Sequence, residues 1–333
     1  MSGSGTGDGF IGGGEDNIVT GDDTDSAVVA GTTNTVSSFE SAIVGGDGNS
    51  VAAAYALVGG GASNTLSGEF GAIVGGDDNG VTAEYSLVGA GYKNTVSGEY
   101  GFIGAGSTNA VSGTAAVIGG GQGGFAEGAY ATVPGGYDNN AAGELSFAAG
   151  FKSYARYAGS FVWSDYSSSG TQLESTAVNQ FLARATGGFT LWTNATNTVG
   201  AKLAPGSGTW ASASDRNLKT AVARIDDAAV LEKVAALPIE RWSYKSERGV
   251  RHVGPMAQDF YAAFGVGEDD KHITSIDENG VALAAIKALH ARVGALDAEN
   301  ARLRRRLASV TMSQASMQDE LRRLTAKVEA LTN

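Results

Sequence analysis

Apolar residues recur along the first half of the chain at a spacing of fifteen. One column runs Val28, Ile43, Val58, Ile73, Val88, Ile103, Ile118 and Val133. Eight positions further on, a second runs Val36, Val51, Leu66, Val81, Val96, Val111, Ala126 and Ala141. Asparagine stands two places before the second column at Asn34, Asn49, Asn64, Asn79, Asn94, Asn109 and Asn139, with Gly124 the one break. Small residues lie two places to either side of the first column, and Gly31, Gly46, Gly61, Gly76, Gly91, Gly106, Gly121 and Gly136 follow it without exception.

Small, branched and small at alternate positions is the period of a strand, not of a helix. The invariant glycine predicts a turn needing positive φ or close backbone approach, and asparagine tolerates the left-handed region at the opposite corner. Each row therefore reads as two short strands and two turns, stacked on its neighbour at about 4.8 Å. About nine rows over residues 26–158 predict a shaft roughly 40 Å long. Two sizeable apolar side chains per row contribute ~1.5–3 kcal/mol each, against ~15–30 kcal/mol for ordering fifteen backbones. The small columns leave room for another chain's backbone, so association is expected.

Composition narrows the class. Fifty glycines and four prolines among 333 residues, with no Gly-X-Y register, exclude collagen. Hydrophobic residues at 42% and charged ones at 17% are too apolar for a disordered chain. The lack of cysteine removes disulfides and thiolate metal sites. The net charge of −12 is uneven: residues 1–213 carry 18 acidic and 5 basic groups (−13), and residues 214–333 carry 17 and 18 (+1). An acidic shaft disfavours nucleic acid and anionic membrane as partners. The start, MSGSGTGDGF, has no basic region or apolar core, so no secretion signal is read there. No apolar run approaches the ~18 residues of a membrane-spanning helix, so no membrane insertion is expected.

The row Ala72-Ile-Val-Gly-Gly-Asp-Asp-Asn-Gly-Val-Thr-Ala83 resembles the head repeats of trimeric autotransporter adhesins. The resemblance covers roughly residues 26–158. It implies a mainly β fold, a homotrimeric left-handed parallel β-roll.

Residues 159–212 lose the period and gain aromatics, as in Phe161-Val-Trp163 and Asn179 to Trp192, which predicts a β-rich neck ending at Pro205-Gly-Ser-Gly208. Beyond it stand Ser214-Asp-Arg-Asn-Leu-Lys219, Pro238-Ile-Glu-Arg-Trp-Ser-Tyr-Lys245 and Arg251-His-Val-Gly-Pro-Met-Ala-Gln-Asp259. This series resembles the intramolecular chaperone of phage endosialidases, tail spikes and neck appendages. It implies a small α+β domain over residues 213–285 that trimerises, templates folding of the fibre and is released by self-cleavage.

Residues 286–333 predict a coiled coil. Its a and d positions are Ile286/Leu289, Val293/Leu296, Asn300/Leu303, Leu307/Val310, Gln314/Met317, Leu321/Leu324 and Val328/Leu331. These heptads make ~70 Å of helix, with Asn300 and Gln314 as register-setting polar layers. The heptads leave dimer or trimer open; the β-roll selects the trimer.

Candidate sites are few. The column Tyr55, Phe70, Tyr85, Tyr100 and Tyr130 is either a carbohydrate-binding strip or a packing ladder between rows; the ladder is the stronger reading, and Trp163 in the neck is the next binding candidate. Glu69, Glu84, Glu99 and Glu144 beside it lack the pocket a glycosidase pair needs. The glycine clusters lack the Gly-Lys-Ser/Thr of a phosphate loop. Asp22-Asp-Thr-Asp25 lacks calcium-loop spacing, and His272 and His290 have no partners at metal-ligand spacing. No metal and no cofactor are expected.

The resemblance to the chaperone family implies a serine–lysine dyad at Ser214 and Lys219, with Asp215, His252 and Gln258 at further motif positions as orienting or polarising groups. A lysine acts as general base when burial or nearby cations lower its pKa from ~10.4 toward neutral. The Ser214 hydroxyl reaches the Ala213 carbonyl through a five-membered ring but its own only through a four-membered one. The cut is therefore expected at Ala213–Ser214, with Ser214–Asp215 the alternative if another protomer supplies the nucleophile. The bland alternative is that Ser214 caps the first helix and Lys219 is a solvated charge.

The whole reads as a receptor-binding fibre or spike of a phage tail or phage-like particle. Its partners would be two further copies and a host-surface glycan or protein, with a baseplate or another fibre protein docking residues 1–25 if these are not a fragment's start. The rival is a bacterial surface adhesin, which would need a signal peptide and a membrane-anchor barrel; a glycan-degrading spike would need a catalytic domain. Self-cleavage is the only enzymatic chemistry expected.

Overall fold

A computed structural model describes residues 8–20, 25–167 and 170–332. Of the acidic Asp22–Asp25 turn, residues 22–24 lie outside the described residues, as do residues 1–7 of the expected attachment segment. The chain divides into two compact units, Met1–Asp215 and Arg216–Asn333.

The first unit is a parallel β-solenoid. One 13-stranded sheet carries the first apolar column and an 11-stranded sheet the second. Strands of two residues pair in a fifteen-residue register, as Leu87 with Phe102 and Val88 with Ile103, and Gly80 with Thr95 and Val81 with Val96. Both columns point inward, from Val28 to Val133 and from Val36 to Val111, at 0–1% exposure. Between the sheets a third line of single parallel bridges passes through Thr32, Asp47, Ala62, Asp77, Tyr92, Ser107, Gln122 and Tyr137.

Parallel pairing extends past both expected ends of the shaft. Phe10–Ile11 and Ile18–Val19 form an earlier turn, pairing with Ala27–Val28 and Thr35–Val36. Phe161–Ser164, Leu173–Glu174 and Phe181–Arg184 continue the two sheets into the segment read as a neck. They escape the fifteen-residue count because Phe147 pairs with Phe161 and Phe161 with Phe181, rows of fourteen and twenty. Phe189–Trp192, Gly200–Leu203 and Trp210–Ser212 then turn antiparallel, as a three-stranded meander.

The corner chemistry differs from the expectation for asparagine. The left-handed position is the residue before it, as at Thr33, Ser63, Asp78, Lys93 and Thr108, with φ between 52° and 56°. The asparagine is buried, and its amide forms a ladder along the solenoid. Asn79 Nδ2 donates to Asn64 Oδ1 at 2.9 Å and to the Gly91 carbonyl at 2.9 Å. Asn79 Oδ1 accepts from the Asn94 backbone N–H at 3.0 Å and from Asn94 Nδ2 at 3.1 Å. Buried in the row, the side chain satisfies corner groups that strand pairing leaves over. The invariant glycine is explained by contact: a Cβ on Gly76, at φ 100°, would stand 2.2 Å from the Gly91 carbonyl oxygen.

Asn79→Ala would strand several of these buried groups, at ~1–3 kcal/mol each. The expected result is a urea midpoint lowered by the equivalent of about 3 kcal/mol per chain. Asn140→Ala is the comparison, since that amide donates only an exposed bond to Glu127. Equal midpoints for the two variants would remove the ladder from the stability of the fold.

One small column, expected to admit another chain, is filled by its own. Ser41 is 3% exposed; its hydroxyl donates to the Ala53 carbonyl at 2.7 Å and accepts from the Ala56 N–H at 3.2 Å. The unfilled apolar surface lies instead on the outward side of the 13-stranded sheet. There Val29, Val44, Leu57 and Val74 are 45–63% exposed, and Phe147, Phe161 and Phe181 stack in sequence at 4.6 and 4.7 Å.

The second unit is a small α+β region with a long terminal helix. Helix α1 (Asp227–Ala236) is capped by Asp226, whose carboxylate accepts from the Ala228 and Ala229 N–H groups. An antiparallel hairpin joins Glu240–Trp242 to His252–Gly254. Helix α2 (Ala257–Phe264) ends at left-handed Gly265. Helix α3 spans Ser275–Thr332, 58 residues, starting before the first heptad because Thr274 caps it through the Asp277 N–H at 3.1 Å. Ala284, Ala285 and Ala288 of α3 are buried at 6–9%, and Lys287 and Arg292 pair with Asp227 and Glu232 of α1.

Candidate functional site

Ser214 and Asp215 follow the meander's last strand, Trp210–Ser212, and end the first unit. They precede a three-residue 3-10 turn, Arg216–Leu218, and not an α-helix. The residue that caps the first α-helix is Asp226. Lys219 closes the turn, its N–H donating to the Arg216 carbonyl at 3.1 Å. Ser214, Asp215 and Lys219 are all exposed.

His252 and Gln258 meet around a residue that the motifs contain but that was not singled out, Trp242. His252 begins the second hairpin strand opposite Trp242. Its ring lies 4.7 Å from the Trp242 ring, and its Nε2 is 3.2 Å from Glu247 Oε2. Tyr244 packs edge-on to Trp242 at 5.0 Å. Gln258, Trp242, Tyr244, Lys271 and Glu278 line a cleft of about 390 Å³. The Trp242 indole N–H is buried without a hydrogen-bond partner. Sequence order alone gave no reason to pair His252 with Glu247, because that contact depends on the hairpin's bend.

The aromatic column is a stack. Tyr55, Phe70, Tyr85 and Tyr100 lie face to face at 4.8, 4.9 and 5.2 Å. Each takes a left-handed backbone conformation, at φ 53–58°. Ala115 interrupts the column before Tyr130, which stands 57% exposed. Both ring faces of Phe70 and Tyr85 are covered by neighbouring rings, so neither is free to stack on a sugar. The Glu99 carboxylate accepts a hydrogen bond from the Tyr100 hydroxyl and raises its pKa above the ordinary phenol value. Trp163 is on a different face, the outward side of the 13-stranded sheet, 37% exposed.

No curated protein matches the chain. Residues 214–265 match the family model described as chaperone of endosialidase, so the chain joins a segment similar to that chaperone to a parallel β-solenoid and a long terminal helix.

Proposed function

We propose that the chain is the subunit of a homotrimeric receptor-binding fibre or spike of a phage tail or phage-like particle. Its C-terminal module templates folding of the solenoid and is then released by cleavage at Ala213–Ser214. The observation that carries this reading is the uncovered seam of α3. Leu289, Val293, Leu303, Val310 and Leu324 are 47–54% exposed along one heptad stripe, while α1 packs on a different, alanine-lined face. A stripe of that length is stable in water when other helices cover it. The outward apolar column of the solenoid supports the same association through a second surface.

Support for release comes from where the bond lies. A cut at Ala213–Ser214 leaves the meander's last strand intact on one product and every helix on the other. The fibre's target would be a glycan or protein on the host surface.

Light scattering on the uncut Ser214→Ala protein tests the assembly. The expected mass is three times the 33.7 kDa of one chain. A monodisperse species of 33.7 kDa would overturn both trimer and fibre.

A further inference from the structure

The solenoid's polar corner becomes aromatic in its last turns. The line of single bridges is mostly polar or small as far as Gln122, passing through Thr32, Asp47, Ala62, Asp77 and Ser107, with Tyr92 the exception. It then continues as Tyr137, which pairs with Phe151 at a ring separation of 5.5 Å and an angle of 15°. Tyr166 stands edge-on to Phe151 at 5.1 Å. Here the strands also lengthen from two residues to the five of Phe147–Phe151 and the four of Phe161–Ser164. The row shortens to fourteen, since Tyr137 pairs with Phe151. A ladder serving packing alone needs no such change of composition and spacing, so this corner is a local departure from the repeat.

The departure encloses a cleft of about 780 Å³, lined by Tyr137, Phe151, Lys152, Trp163, Asp165 and Tyr166. That volume lies within the roughly 300–1,000 Å³ of ligand sites. Tyr166, which meets Phe151 edge-on, is 84% exposed, so an aromatic ring of the cleft is open to a ligand. Lys152 holds its ammonium 5.6 Å from the centre of the Phe151 ring. Asp165 is fixed in place, accepting hydrogen bonds from the Ser167 hydroxyl and from the Thr186 N–H and hydroxyl at 2.6 and 2.7 Å. Those bonds, the Ser167 one first, hold its carboxyl at about 2, so it is an anion at any physiological pH.

We propose that this cleft is a binding site for a neutral saccharide. Flat aromatic surface accepts the apolar C–H face of a pyranose ring. One fixed acceptor, one ammonium donor and two phenol hydroxyls then match its hydroxyl groups. Lysine and aspartate together give the cleft no net charge, which disfavours an anionic sugar on a unit that is otherwise strongly acidic. Trp163 belongs to the face assigned to contact between copies, so the cleft lies at the margin of that contact. The inference rests on the receptor-binding reading and names its ligand and its place.

The test uses the full chain on an array of immobilised neutral oligosaccharides of glucose, galactose, mannose and N-acetylglucosamine, with sialylated and uronate-containing ones alongside. Binding to neutral members is expected, falling at least tenfold in Tyr166→Ala and in Lys152→Ala with melting temperature and trimer mass unchanged. Tyr166 is exposed enough for its removal to leave the fold intact, and Tyr85→Ala in the shaft is expected to bind as wild type. Three results would overturn the site: no saccharide bound, only acidic ones bound, or binding indifferent to both variants. Attachment of the wild-type chain to host cells separates the two readings. Attachment that survives Tyr166→Ala sinks the cleft and spares the fibre, whereas a trimer that attaches to no cell sinks the fibre reading itself.

Discussion

A gene truncated after Ala213 is expected to yield aggregated or unfolded solenoid, while the same residues removed after folding leave the solenoid intact. The reason lies in the repeat. Successive rows bury nearly the same side chains, Val28, Ile43, Val58 and Ile73 in one column and Val36, Val51, Leu66 and Val81 in the other. Chains displaced by one whole row would therefore bury almost the same apolar surface and keep their inward and outward faces. Nothing in the shaft strongly penalises that slip, unlike a slip of one residue, which turns the core outward. In the proposed trimer the seam of α3 would end the degeneracy, because Asn300 and Gln314 fall at a positions of its heptads and would disfavour shifted alignments. A trimer nucleated there would set the solenoids in register at their C-terminal ends, and pairing would then propagate row by row. Once formed, each row is held by the buried asparagine ladder and its own apolar core, and the nucleus can be lost. Soluble yield, light scattering and far-UV circular dichroism on the two preparations check the asymmetry. A gene-truncated solenoid that folds to the same trimer in the same yield would show that the module is no template.

The period was legible in the sequence because both inward apolar columns are repeated without a gap; branched residues two apart from small ones have no other regular reading. The job of asparagine was not, although its column breaks only once, at Gly124. Tolerance of the left-handed region and a buried amide ladder both call for asparagine at one place per row, and the choice depends on whether the neighbour, Asp78 or Lys93, can take the strained conformation instead. Serine at position 41 was misread for a related reason. Small size fits an approaching foreign backbone and a hydroxyl turned inward onto Ala53 equally well. The late turns escaped notice because rows of fourteen and twenty break the count while the parallel register survives, as Trp163 opposite Ala183 shows. The cleft at Lys152 and Tyr166 needed three such rows placed on one another before its residues became neighbours. In the second unit the motifs contained Trp242, yet its contact with His252 follows from a hairpin whose bend no motif spells out.

Ser214→Ala is expected to leave one full-length chain where the wild type gives two, the second beginning at Ser214. The proposed step is an acyl shift followed by hydrolysis. The Ser214 hydroxyl loses its proton to the Lys219 amine, and its oxygen attacks the Ala213 carbonyl carbon through a five-membered ring. The Ala213–Ser214 C–N bond breaks, the nitrogen takes the proton to become a free α-amine, and an ester remains between Ala213 and the serine oxygen. Water cleaves that ester, leaving the Ala213 carboxylate and restoring the hydroxyl, so one water is consumed and no cofactor is needed. The alanine variant has no oxygen to attack and is expected to stay uncut. Lys219→Ala keeps the nucleophile and loses the base, which predicts a rate lower by roughly 10²–10⁴. Lys219→Arg should be as slow, since a guanidinium does not give up its proton at neutral pH. Intact-mass spectrometry over time, on trimers of unchanged melting temperature, reads all three variants. A product beginning at Asp215 would rule out the acyl shift and place the nucleophile on another protomer. A wild-type trimer that folds and stays whole would make the module a permanent cap, with Ser214 and Lys219 serving only the turn between the meander and α1.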